Sequence, residues 1–162
     1  MNKTILLALV GALALSVPTA AFANDSDKKP AAKRKVDKNS IYHRIGGDPA
    51  ISAAVDLFYK KVLADKKVNH FFEDVNMDKQ HRKQKAFLSA ALGGPEPWTG
   101  KDMRKAHKHL DLTEADFNAI AGHLVATLQE LGVKQKLIDE VIAVVATTKN
   151  DVLNKPKAKA GK

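Results

Sequence analysis

The chain has 162 residues and no cysteine, and it sets 27 Lys and Arg against 18 Asp and Glu for a formal net charge of +9. Without cysteine there is no disulfide scaffold, thiol nucleophile, thiolate metal site or C-x-x-C-H haem attachment. The charge also argues against a nucleic-acid binder, because it lies at the ends: residues 24–40 hold six basic against three acidic residues, residues 154–162 hold four Lys and no acid, and residues 41–153 balance 16 against 15. A nucleic-acid-binding domain carries its excess as a patch on the fold.

In chain order, Met1 to Ala23 reads as a processing segment. Lys3 supplies the positive start, Ile5 to Val17 is an apolar run, and Ala21-Phe22-Ala23 is a small-x-small cleavage site before Asn24. The run is shorter than the ~20 residues that a spanning helix needs, so export with cleavage is expected, to the periplasm or exterior. Residues 24–40 and 154–162, rich in Lys, Ala and Pro, read as a solvated linker and tail able to touch an anionic membrane surface.

Residues 41–153 suit one domain. Asp48-Pro49 is a capping carboxylate followed by a first-turn proline, and Ile51, Val55, Phe58, Tyr59 and Val62 recur behind it at helical spacing. Phe71-Phe72 occupy a short connection as buried anchors. Asp78 is placed to cap the next helix, which stops at Gly93-Gly94-Pro95. Gly100 to Leu110 is long enough for two or three turns, with Met103, Ala106, His107 and Leu110 on one face. Thr113 and Asp116 have capping-box spacing ahead of the stripe Phe117, Ile120, Leu124, Leu128 and Leu131, which Gly132 ends. A last helix is expected from about Lys134 to Leu153. No segment alternates with period two, so the domain is all-α.

The polar residues on the inward faces carry the functional signal. Gln80 and Gln84 share a stripe with Phe87, Leu88 and Ala91. Of six histidines, none pairs at i, i+4 on a helix, which weakens a zinc reading. His43, His70, His81 and His109 fall on polar faces or turns and read as solvated, and His123 as a boundary residue. His107 points inward, either as a satisfied core histidine or as a ligand. Each unpartnered inward group would cost about 1 to 3 kcal/mol, and Tyr59, Gln80, Gln84 and His107 make four. A polar object bound between the helices would account for all of them, and a haem, with Phe72, Phe87 and Met103 lining a flat slot, meets the demands without being singled out by them.

The segments IYHRIGGDPAI, LFYKKVLAD, FFEDVNMDKQ, QKAFLSAALGGPEPW, MRKAHKHL and AGHLVATLQELGV, with the pairs Gly46-Gly47 and Gly93-Gly94, run in an order and spacing similar to that of one family. From Ser40 to about Leu153 the chain resembles the group I truncated haemoglobins, the two-over-two globins. The resemblance implies a helical sandwich around haem, with His107 as the proximal iron ligand and Tyr59, Gln80 and Gln84 stabilising the distal ligand. It places Phe72, Phe87 and Met103 against the porphyrin and Lys79 at a haem propionate.

Two departures matter. Where some relatives carry a sixth-ligand histidine this chain has Lys83, which leaves either a solvated charge or a distal iron ligand; neutralising an ordinary lysine amine at pH 7 costs about 4.6 kcal/mol. No histidine follows His123, so the covalent vinyl link of some relatives is expected to be absent and the haem to be a non-covalent b type. The resemblance implies binding of O2, NO or CO and reaction of O2 with NO to nitrate, with an unidentified electron donor. The alternatives are peroxidase-like or nitrite-reducing redox chemistry, and haem carriage or gas sensing without turnover.

Overall fold

A computed structural model describes residues 34–156. The export-signal reading of residues 1–23, the linker reading as far as residue 33 and the tail beyond residue 156 lie outside the described residues. Those described hold seven α-helices and no strand: α1 Ile41–Ile45, α2 Gly47–Ala64, α3 Met77–Ala91, α4 Met103–His107, α5 Glu114–Glu130, α6 Gln135–Thr147 and α7 Lys149–Val152, with a 3-10 turn over Asn69–Phe72 between α2 and α3.

Local chemistry sets the boundaries, in places differently from the pattern reading. Ser40 Oγ accepts from the His43 N–H at 3.1 Å to start α1, and Gly46, at φ 112°, both ends α1 and opens α2. Only glycine holds that left-handed conformation without strain. Asp48 is therefore not the cap but a first-turn carboxylate, favourable at the positive end of the helix dipole. Asp78 is displaced in the same way: Asn76 Oδ1 accepts from the Lys79 N–H at 2.9 Å and caps α3. The Thr113–Asp116 box forms as expected, with the Thr113 N–H donating to Asp116 Oδ2 at 2.9 Å and the Asp116 N–H to Thr113 Oγ1 at 3.2 Å.

The expected single last helix divides at Thr148. Thr147 and Thr148 each turn a hydroxyl onto the carbonyl three residues back, at 2.6 and 2.7 Å. Such bonds compete with the helix ladder and bend or break it.

α2 is the organising element. It packs on α3 and on α5, α5 packs on α6, and α1 bridges α2 and α6. Lys61 pairs with Glu130 and Asp65 with His123, so α2 and α5 run antiparallel. Val55, Val62 and Val68 are fully buried, together with Leu128, Ile138 and Val141, each side chain worth roughly 1.5 to 3 kcal/mol on burial. Arg44 grips Glu140 with two bonds, at 2.5 and 2.8 Å, and closes α1 onto α6.

At the other end of α3 the chain turns at Gly93, where φ is 90° and a Cβ would sit 2.9 Å from that of Ser40. Beyond the turn Trp98 packs edge-on to Phe87, with ring centroids 5.6 Å apart, and its indole N–H donates to the Lys101 carbonyl at 3.0 Å. These contacts deliver the short α4, which packs against α7.

Candidate haem site

Between α2 and α3 on one side and α4 and α5 on the other lies a cavity of about 790 Å³, within the ~300 to 1,000 Å³ typical of ligand sites. Its lining includes Tyr59, Phe72, Gln80, Lys83, Gln84, Phe87, Met103 and His107, so eight of the nine residues singled out from the sequence meet there. Lys79 does not line it; it is exposed on the first turn of α3. Lys83 borders the cavity although the residue as a whole is exposed. Phe58, Leu110, Phe117, Ile120 and Leu124, which the sequence marks only by helical spacing, add apolar wall, as does Trp98, which it does not mark as buried.

α4 fixes its histidine through the backbone. Asp102 Oδ1 accepts from the Lys105 N–H at 2.8 Å and caps the helix, and His107 Nδ1 lies 2.7 Å from the Met103 carbonyl oxygen. A carbonyl only accepts, so Nδ1 carries a hydrogen and Nε2 is the nitrogen left to ligate a metal.

α2 and α3 contribute a phenol and two amides to the lining. Tyr59 is 2% exposed. The Gln80 amide Nε2 donates to the Tyr59 hydroxyl oxygen at 3.0 Å. With its oxygen accepting from Gln80, the hydroxyl is left to donate its own hydrogen. Burial pushes the Tyr59 phenol up to about 12, the Gln80 bond pulling weakly the other way, so the group remains a donor at neutral pH. Gln84, one turn after Gln80, lines the same cavity half-buried.

One neighbour of this network is misread in the sequence. His81 is not simply solvated: its ring stacks on Tyr59, with centroids 4.6 Å apart and planes 18° apart, and its Nδ1 is 3.1 Å from Asp56 Oδ1. Lys85 Nζ reaches the same oxygen at 3.2 Å. Burial acts to raise the Asp56 carboxyl, but the hydrogen bonds from Lys85 and His81 outweigh it and hold the group below the usual carboxylate range.

The family model of the bacterial-like globins matches residues 40–154. The chain belongs to that family. This globin is 48% identical over 116 residues to the group 1 truncated hemoglobin of Tetrahymena pyriformis, covering 72% of this chain and 96% of that one. It is 47% identical over 122 residues to the group 1 truncated hemoglobin of a Synechocystis species, covering 72% and 98%.

Among solved structures, the Fe(III) form of the T. pyriformis protein superposes with a TM-score of 0.69 at 48% identity, over 71% of this chain and 98% of that one. Variants of that protein with a tyrosine or either of two glutamines replaced have also been solved. A Synechococcus 2/2 hemoglobin in the cyanomet state, with covalently attached heme, gives a TM-score of 0.69 at 48% identity over 72% and 99%. The architecture is therefore that of the truncated 2/2 hemoglobins, a globin class that binds haem and small gas ligands.

The residues present fit that cofactor. One imidazole offers its Nε2, aromatic and thioether side chains make an apolar slot, and a phenol with two amides supplies polar groups within the same cavity.

Proposed function

We propose that this globin would hold haem non-covalently, as the b type, through His107, and would retain O2, NO or CO beside Tyr59, Gln80 and Gln84. Haem supplies, when bound, a ferrous iron that takes a diatomic and that gives up one electron when O2 and nitric oxide combine to nitrate, an electron an external donor must restore. Phe72, Phe87 and Met103 would exclude water from the haem, and exposed Lys79 is the residue we assign to a propionate. The non-covalent reading rests on the sequence, in which no histidine follows His123. Lys83 borders the cavity but is exposed to water, and we assign it to the rim of the cavity rather than to the iron.

The observation that carries this reading is the hydrogen bond from Gln80 to the Tyr59 oxygen, which leaves the buried phenol one hydrogen to give. The spacing of the replaced residues in T. pyriformis supports it: there the two glutamines follow the tyrosine by 21 and 25 positions, the offsets of Gln80 and Gln84 from Tyr59. A donor worth about 1 to 1.5 kcal/mol slows O2 release roughly 5- to 12-fold, and two donors slow it roughly 30- to 150-fold. A protein that holds O2 so firmly is a poor bulk carrier and suits chemistry on the ligand. Tyr59→Phe should raise the O2 dissociation rate by at least about 5-fold; dissociation at the native rate would show that the distal donors are misassigned.

A further inference from the structure

His81 follows Gln80 on α3, yet it faces another way: Gln80 lines the cavity and His81 does not. Its ring lies flat against the face of Tyr59. The remaining sides of the phenol are closed by Phe58 and Phe72, both edge-on, with centroids at 5.2 and 5.8 Å. His81 is itself held, because its Nδ1–H donates to Asp56 on α2, three residues before Tyr59, and Asp56 is steadied by Lys85, one turn further along α3. α2 and α3 are thus tied together twice around one phenol, by Gln80 on its oxygen and by the Asp56–His81 bond behind its ring.

A phenol hydroxyl can donate to a small ligand only if the ring plane and its tilt are fixed, since a hydrogen bond weakens steeply once it bends. Gln80 fixes the position of the oxygen but not the plane of the ring. The stacked imidazole supplies that constraint. We propose that His81 is a positioning residue whose ring face fixes the Tyr59 ring so that its hydroxyl points at the diatomic. This rests on the reading of Tyr59 as a distal donor.

The test uses haem-loaded protein and follows O2 dissociation after mixing the oxygenated form with CO, together with the infrared C–O stretch of the CO form. His81→Ala should speed O2 release about 3- to 10-fold, the range an aromatic pair is worth, while His81→Phe, which keeps a ring face without the bond to Asp56, should stay within about twofold of native. In a Tyr59→Phe background His81→Ala should add nothing. The C–O band should be single and narrow in native and His81→Phe protein and broadened or split in His81→Ala.

Release from His81→Ala at the native rate would overturn the inference, as would the same acceleration in the Tyr59→Phe background. His81→Phe releasing O2 as fast as His81→Ala would overturn the role given to the ring face. Each of these results would leave the donor reading standing. Native-rate release from Tyr59→Phe would instead remove the donor reading, and this inference with it.

Discussion

Tyr59 illustrates what a single residue must satisfy to act as a donor to a neutral gas molecule. It has to keep its proton, and the structure provides for that by burying the ring and pushing the phenol up to about 12. A group raised in this way favours the fold below its ordinary value, near 10, and the advantage is lost as pH rises from there through its folded value. O2 dissociation should therefore be flat from neutral pH to about 10 and rise only as Tyr59 ionises toward about 12. Stopped-flow rates across pH check this, and a step in the rate well below pH 10 would contradict it. Tyr59 and Gln80 could be read from the sequence because helical periodicity marks a polar group on an apolar face. His81 could not. Its partners Asp56 and Tyr59 lie 25 and 22 positions away on another helix, and nothing in the local pattern around His81 marks a residue whose role is set by a stack across two helices.

At the scale of elements, α4 is the vulnerable one. Its five residues are far fewer than the ~12 to 15 an isolated helix needs, so tertiary contacts must hold it. Arg104 provides them: its Nε and Nη2 donate to Asp151 Oδ1 at 3.2 and 2.8 Å, and Nη2 also donates to the Lys155 carbonyl at 2.8 Å. These bonds clamp the helix that carries His107 to α7. Charge-assisted bonds of this kind are worth roughly 1.5 to 3 kcal/mol, reduced to about 1 kcal/mol here because Asp151 is half exposed and screened by water. Arg104→Met should lower the melting temperature of the haem-loaded protein by a few degrees and speed haem loss to an apo-acceptor about 5-fold; unchanged melting and haem retention would show that α4 is held by its apolar face alone. This clamp is not legible in the local pattern, because the residues from Lys134 to Leu153 read as one continuous helix. The break at Thr148, which separates α7 as its own element, arises from two hydroxyl-to-carbonyl bonds rather than from any glycine or proline. The capping box at Thr113 was legible because its chemistry is local. Asp48 and Asp78 fall just inside their helices rather than at the caps, since Gly46 opens α2 through its left-handed backbone and Asn76 accepts from the first turn of α3.

Across the whole molecule, charge and apolar surface are divided between different parts of the chain. The basic excess sits in the terminal segments and the nearly neutral part is the globin. We propose cleavage before Asn24. Cell fractionation with N-terminal sequencing should find a mature chain starting at Asn24 outside the cytoplasm, and a cytoplasmic chain starting at Met1 would contradict export. In the cavity a histidine fixed through its own helix backbone lines an apolar slot shared with a phenol and two amides, which makes it the residue expected to hold haem. The visible spectrum of native protein and of His107→Gly, ferric and ferrous with CO, tests it most directly. Native protein should bind haem, remain high-spin in the ferric form near neutral pH and give a ferrous–CO spectrum of an imidazole-ligated haem; His107→Gly should lose that signature and regain it when imidazole is added. A His107→Gly spectrum indistinguishable from native, or a native ferric form that is low-spin at neutral pH until Lys83 is replaced, would contradict the account.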